Sequence, residues 1–180
     1  KKGALNNDTV VATVMSNIGL AAALRRDGID LERTPVGDRF VTARMKEGDF
    51  TLGGEQSGHI IFGRENNYTG DGAYTALRLF EAVIESTLSV AELVAGRETF
   101  PQILINVPVT HKQPSEEIPA VGERIASAEA ALGDEGRGVV RYSGTEPKLR
   151  VMIEGRNQDE VNGLAESIAD AVRAAIGSTT

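Results

Sequence analysis

The stretch Thr9-Val-Val-Ala-Thr-Val-Met15 is β-branched and nearly continuous in apolar character. A strand that alternates apolar and polar side chains can leave one face in water, but one without alternation must be covered on both. The cover has to come from the segments next along the chain, and those are helical. Ser16 is placed to cap a helix whose apolar positions Ile18, Leu20, Ala21 and Leu24 run at near-helical spacing, with Gly28 as its stop. After Pro35, Val36-Gly-Asp-Arg39 leads into Phe40, Val41, Arg44 and Met45, a second short helix ended by Gly48. Strand-like Phe50-Thr-Leu52 runs into Gly53-Gly54, and Ile60-Ile-Phe62 reads as a further strand. Thr69-Gly-Asp-Gly72 opens a longer helix with Leu77, Phe80, Val83 and Ile84 as apolar positions, and Ser89-Val-Ala-Glu92 matches a capping box. Strands alternating with helices in this way predict an α/β layered mixed-sheet domain.

The pattern restarts around Arg97–Pro101, which sets a boundary and divides the chain into domains at 1–98 and 99–180. Gln102–Val107 reads as a strand, followed by a polar, proline-containing stretch from His111 to Ser115. Val121, Ile125, Ala128 and Leu132 then mark one helix face, closed by Gly133. Gly138–Tyr142 and Leu149–Glu154 are strands joined by Ser143-Gly-Thr-Glu-Pro147, which is hairpin-loop material. Asn157 caps a last helix, with Glu160 in the reciprocal position and a stripe of Val161, Leu164, Ala165, Ile168, Val172 and Ile176 stopped by Gly177. The order β–α–β–β–α predicts a smaller, two-layer α+β domain.

Composition removes several classes of function. The chain has no cysteine, which excludes a disulfide framework, thiolate metal sites, iron–sulfur clusters and cysteine nucleophiles, and fits a reducing, cytoplasmic location. No apolar run approaches the roughly 20 residues that span a bilayer, so no membrane association is expected. The start, Lys1-Lys2-Gly3-Ala4-Leu5-Asn6-Asn7-Asp8, lacks the apolar region of a signal peptide. A net charge of −7 and a pI near 4.9 make a poor general binder of nucleic acid. The local balance differs: Arg137 to Arg156 carries five basic residues (Arg137, Arg141, Lys148, Arg150, Arg156) against two acidic ones, Glu146 and Glu154. That excess suits a small anion, or a solvated strand face balanced by nearby acids.

Two polar loops stand out. In Gly53-Gly-Glu-Gln-Ser-Gly-His59, Glu55 can accept from vicinal hydroxyls, Ser57 can donate and accept, and glycine lets backbone approach a ligand. The combination suits a sugar; a tight hairpin with solvated side chains is the alternative. A serine-hydrolase elbow is excluded by spacing, since G-x-S-x-G is required and G-x-x-S-G is present. His59 can exchange a proton with a hydroxyl, and with His111 distant in sequence no metal site is expected. In Arg141-Tyr-Ser-Gly-Thr-Glu-Pro-Lys-Leu-Arg150, Arg141 and Ser143 share a strand face, while Gly144 and Thr145 offer backbone amides. A nest of amides beside a guanidinium suits a phosphate dianion. Neither a Walker loop nor a dinucleotide-binding glycine motif is present.

Gly54-Glu-Gln-Ser-Gly-His59 and Arg141-Tyr-Ser-Gly-Thr-Glu-Pro147 with Arg150 resemble the sugar-recognition and phosphate-binding loops of the α-D-phosphohexomutase superfamily. Thr34-Pro-Val-Gly-Asp-Arg39, Thr69-Gly-Asp-Gly72 and Phe100-Pro-Gln-Ile-Leu-Ile-Asn106 are similar, more narrowly, to its bacterial glucosamine-phosphate branch. The resemblance covers essentially the whole chain in order and implies a reversible shift of phosphate between the 6- and 1-positions of glucosamine, through glucosamine 1,6-bisphosphate. It implies that Glu55 and Ser57 hold sugar hydroxyls, that His59, Asp38 and Arg39 line the cleft, with His59 a proton relay, and that Arg141, Ser143, Gly144, Thr145 and Arg150 grip phosphate. The family's nucleophilic serine and its Asp-rich, Mg2+-holding loop have no counterpart here, so the chain resembles the carboxy-terminal half, part of a third domain plus a fourth. No serine is expected beside a histidine. Pro35 departs from the lysine common at its position. The implied partners are a phosphosugar, the amino-terminal half of the same parent and, as an open expectation, a second copy of the parent; the phosphomannose and phosphoglucose branches, and a non-catalytic phosphosugar-binding module, remain alternatives.

Overall fold

A computed structural model describes residues 4–178, apart from the side chain of Glu116; the basic start at Lys1–Gly3, read above as no leader, lies outside the described residues. The chain divides into two compact units, Lys1–Thr99 and Phe100–Thr180.

In the first unit the elements are β1 (Thr9–Thr13), α1 (Ile18–Arg26), β2 (Asp30–Thr34), α2 (Asp38–Gly48), β3 (Leu52–Gly54), β4 (Ile60–Phe62), α3 (Gly72–Ser86) and α4 (Val90–Leu93). The sheet order is β2-β1-β3-β4, with β1 parallel to both neighbours and β3–β4 an antiparallel hairpin. All of β1 is buried, as its unbroken apolar run requires. The β1–α1–β2 and β2–α2–β3 crossovers run in opposite directions along the sheet, so right-handed connections put α1 and α2 on opposite faces. Val11, Val41, Met45, Phe50 and Ile61 form the core.

Four local expectations are corrected. Asn17, not Ser16, caps α1, its Oδ1 accepting from Gly19 N at 3.0 Å, while Ser16 is buried. Gly48 is the last residue of α2, and the left-handed stop is Asp49, whose N–H bonds to the Met45 carbonyl. Strand β2 escapes a reading by apolar runs, because Asp30-Leu-Glu-Arg-Thr34 has one large apolar side chain; an edge strand with a single neighbour tolerates such charge. Finally, β3 begins at Leu52 and contains both glycines. A Cβ on Gly53 would lie 2.5 Å from Met45 Sδ and 2.8 Å from Val41 Cγ1, so this glycine answers the packing of α2 against the sheet rather than ligand approach.

Helix α3 is capped by Asp71, whose side chain accepts from Tyr74 N. Its apolar stripe is real but uncovered: Leu77, Phe80 and Ile84 are 66%, 62% and 75% exposed. The expected capping box at Ser89 and Glu92 opens α4, where Val90, Leu93 and Val94 are exposed too. No helix among the described residues is long and apolar enough to cross a membrane.

The second unit comprises β5 (Gln102–Pro108), α5 (Pro119–Leu132), β6 (Arg137–Tyr142), β7 (Lys148–Glu154) and α6 (Gln158–Ile176), with an antiparallel sheet of order β5-β7-β6. Asn157 Oδ1 caps α6 by accepting from Asp159 N and Glu160 N. Leu149, Val151 and Ile153 of β7 pack with Val161, Ala165, Ile168 and Val172 of α6 and Val121, Ala128 and Leu132 of α5 in one core. Period-2 alternation therefore sends Lys148, Arg150, Met152 and Glu154 to the face without helices.

Candidate functional site

On that helix-free face the cross-strand pairs can be followed from one end of the sheet to the other. At one end Arg137, Glu154 and Gln102 lie abreast on three strands. Glu154 is fully buried, and its carboxylate accepts from Arg137 Nε at 2.5 Å and from Gln102 Nε2 at 3.1 Å. A buried charge with its partners in place is tolerated there. At the other end Arg141 of β6 stands directly opposite Arg150 of β7, with Asn106 on the far side. Like charges placed opposite each other in a sheet are destabilising. The Nε of each guanidinium is buried without a hydrogen-bond partner. Burial, and after it the charge of Arg150, hold the Arg141 guanidinium below its ordinary pKa.

The β6–β7 hairpin closes over this end. Ser143 is 2% exposed; its N–H bonds to the Lys148 carbonyl at 2.8 Å, and its Oγ accepts from Glu146 N and from an Arg150 terminal nitrogen, both at 3.3 Å. Gly144 and Thr145 form the exposed tip. The Glu146 carboxylate bridges Lys148 Nζ at 2.7 Å and Arg150 at 3.3 Å. The hydrogen bond from Lys148, and then its charge, hold Glu146 below the usual carboxylate range. Lys112 Nζ donates to the Ser143 carbonyl at 2.7 Å and braces the hairpin from a stretch read only as polar loop.

Of the basic residues between Arg137 and Arg156, Arg137 is thus matched by Glu154 and Arg156 by Glu135, at 3.1 Å. Lys148 and Arg150 share the one partly exposed Glu146. The positive excess read from sequence is therefore concentrated at Arg141 and Arg150.

The other loop lies in the first unit, at the carboxyl ends of three parallel strands, where open α/β sheets bind ligands. β3 leads into Glu55 to His59, and β2 leads into the turn before Asp38 and Arg39. Glu55 N bonds to the His59 carbonyl and Gly58 N to the Glu55 carbonyl, each at 3.0 Å, with Gly58 at φ +98°, a left-handed conformation that suits glycine. The structure gathers Glu55, Ser57 and His59 around one atom. His59 Nδ1 lies 3.0 Å from Ser57 Oγ and 3.2 Å from Glu55 Oε1; the glutamate side chain is 11% exposed and the histidine 55%.

A serine therefore does stand beside a histidine, which corrects the expectation from sequence. It is not a catalytic triad, because that relay needs serine and acid on opposite ring nitrogens and here both address Nδ1. Ser57 and Glu55 both engage Nδ1 and leave the opposite ring nitrogen, Nε2, out of this cluster. Asp38 and Arg39 are exposed at the same sheet edge; Asp38 Oδ1 accepts from Arg39 N at 2.7 Å, and the Arg39 guanidinium lies 4.6 Å from the Phe40 ring centroid. Arg33 anchors that edge, donating to the Ser16 carbonyl at 2.8 Å, a role hidden in a strand that the sequence did not reveal. Among the described residues no group of histidine, aspartate and glutamate side chains is placed to hold a metal ion.

Residues 1–100 match the family model of phosphoglucomutase/phosphomannomutase, alpha/beta/alpha domain III, and residues 104–171 that of the phosphoglucomutase/phosphomannomutase C-terminal domain. A phosphoglucosamine mutase of Koribacter versatilis is 53% identical over 98% of this chain, and the chain spans 38% of that relative's length. Two solved structures of the Aspergillus fumigatus N-acetylphosphoglucosamine mutase share the fold. One, a variant in complex with glucose 1,6-bisphosphate, has a TM-score of 0.77 at 21% identity over 94% of this chain and 39% of its own. The other, in complex with GlcNAc-6P and magnesium, has a TM-score of 0.75 at 22% identity over the same shares.

Proposed function

Because the chain belongs to the phosphoglucomutase/phosphomannomutase family, we propose that it is the carboxy-terminal part of a cytoplasmic mutase that interconverts glucosamine 6-phosphate and glucosamine 1-phosphate through glucosamine 1,6-bisphosphate. The opposed pair Arg141 and Arg150, each with a buried donor left over, carries this reading. A phosphate dianion placed against them neutralises the like charges and supplies acceptors for both guanidinium groups. Gly144 and Thr145 add donors at the hairpin tip. Ser143, buried and bonded to Arg150, holds the hairpin and the guanidinium in place as well as facing the anion. Gripping the phosphate that is not transferred orients the far end of the sugar for reaction, which is binding energy used for alignment.

Glu55, Ser57 and His59 then read the sugar. Glu55 accepts from hydroxyls in either orientation of the substrate, Ser57 completes the set, and His59 passes a proton through Nε2. Asp38 and Arg39 line the entrance. The family's magnesium and phosphorylated serine belong to the amino-terminal half of the parent. The face of α3 with Leu77, Phe80 and Ile84 is where that half docks: well over half of the relative's length lies outside the chain, and burying each such side chain is worth about 1.5–3 kcal/mol.

The test is titration of the chain with inorganic phosphate or glucosamine 6-phosphate followed by NMR. Arg141→Ala is expected to weaken binding by about 1.5–3 kcal/mol, the range for a hydrogen bond to a charged group. Shifts that bypass residues 141–150 refute the assignment.

A further inference from the structure

We propose that Glu146 is the built-in counter-ion of the anion site, a carboxylate that arriving phosphate displaces and that refills the site when phosphate leaves. The proposal rests on the phosphate reading above and assigns a side chain that reading leaves unused.

The geometry sets Glu146 apart from the other acid on the same sheet face. Glu154 is fully buried and locked between Arg137 and Gln102. Glu146 is 44% exposed on its side chain, and its backbone is pinned independently of the carboxylate. Its N–H donates to Ser143 Oγ, and its carbonyl accepts from Lys148 N at 2.9 Å. The carboxylate can therefore swing out while the hairpin stays closed. In its present position one oxygen takes Lys148 and the other takes a terminal nitrogen of Arg150. It satisfies neither Arg150 Nε nor Arg141 Nε, which remain without partners. The internal anion thus covers one corner of a donor array larger than itself. A phosphate monoester, with more charge and one more terminal oxygen than a carboxylate, can engage both guanidinium groups and release Lys148 to join them.

Such a device has a physical use in the proposed reaction. The bisphosphate intermediate must turn over within the site, so the clamp has to let go of one phosphate and take up the other in each cycle. An empty clamp leaves two opposed arginines with nothing between them, which is costly. A tethered carboxylate lowers the energy of that empty state. It therefore speeds release and weakens holding, by the same differential effect on bound and free protein.

Inorganic phosphate, titrated into the wild-type chain and into Glu146→Gln at fixed ionic strength and at a pH where phosphate is dianionic, tests the proposal. Glu146→Gln keeps the side chain's size and removes its charge. It is expected to tighten phosphate binding by roughly 3- to 30-fold, mainly through slower dissociation, as for a partly exposed charge close to an anion. In the wild-type chain, the side-chain nitrogen signals of Lys148 and Arg150 and the Glu146 carboxyl signal should move together on phosphate addition, a readout that needs no variant. Unchanged or weaker binding by Glu146→Gln, with Arg141→Ala still weakening it, would make Glu146 a brace of the hairpin and overturn this inference alone. No phosphate binding by the wild-type chain, and no effect of Arg141→Ala, would overturn the phosphate reading and this inference together.

Discussion

Asp49 shows how much one side chain can do outside the site. It ends α2 in the left-handed conformation at φ 52°, and its carboxylate accepts from Arg64 Nε at 2.5 Å and from the Tyr68 hydroxyl at 2.9 Å. Those bonds, Arg64 first, hold its pKa below the ordinary aspartate value. A carboxylate depressed in the folded state contributes stability that is fully present above its unfolded value of about 3.9 and is lost as pH falls through the folded one. Asn also tolerates the left-handed region, so Asp49→Asn isolates the charge. Chemical denaturation should find the variant less stable than wild type at pH 7, with the difference closing as pH drops below about 4. A difference that persists at low pH would mean that the loss is not electrostatic. Gly53 is the complementary case, where the absence of a side chain matters. Gly53→Ala forces a Cβ against Met45, Val41 and the Val11 carbonyl, and is expected to cost about 1–3 kcal/mol in the same denaturation experiment.

Among the elements, α3 and β2 show where pattern succeeds and where it fails. The stripe on α3 was legible because Leu77, Phe80 and Ile84 recur at helical spacing, yet periodicity cannot say what covers a stripe. Here nothing in the described unit does. Phe80→Asp should therefore reduce self-association and hydrophobic-dye binding of the isolated chain, measured by light scattering and dye fluorescence. In the full-length parent, the proposed docking predicts that the same change lowers the melting temperature. Equal effects in both would argue against docking on α3. Strand β2 is the converse. Its Asp30, Glu32 and Arg33 hid it from a reading based on apolar runs, yet Arg44 pairs with Glu32 and Arg33 reaches the loop after β1. These contacts depend on residues distant in sequence.

At the scale of the whole molecule, the second unit closes its own core between one sheet face and two helices, and should fold without its neighbour. A chain of residues 99–180 expressed alone is expected to unfold cooperatively on heating, followed by circular dichroism; a gradual melt with strong dye binding would show that its core is not independent. The full 180-residue chain, given magnesium and glucosamine 1,6-bisphosphate, should show no mutase activity. It has no metal-holding cluster among its described residues, and its Ser57–His59 pair meets at the wrong nitrogen for a relay.

The amino-acid sequence determined the elements whose signals are local. Unbroken Thr9–Met15 demanded a two-sided layer, Asn157 and Ser89–Glu92 declared their caps, and the Ser143–Pro147 run declared its hairpin. It also determined which loops were chemically unusual, since hydroxyl-reading and anion-reading side chains were grouped within a few residues. Only the tertiary structure decided the rest. It showed that, of the basic residues between 137 and 156, Arg141 and Arg150 face each other with donors to spare while Arg137 is spoken for. It turned Gly53 from a ligand-approach residue into a packing requirement, and His59 from a lone histidine into one shared by Ser57 and Glu55. Strand register and helix placement set those meetings, and both depend on contacts between residues far apart in the chain.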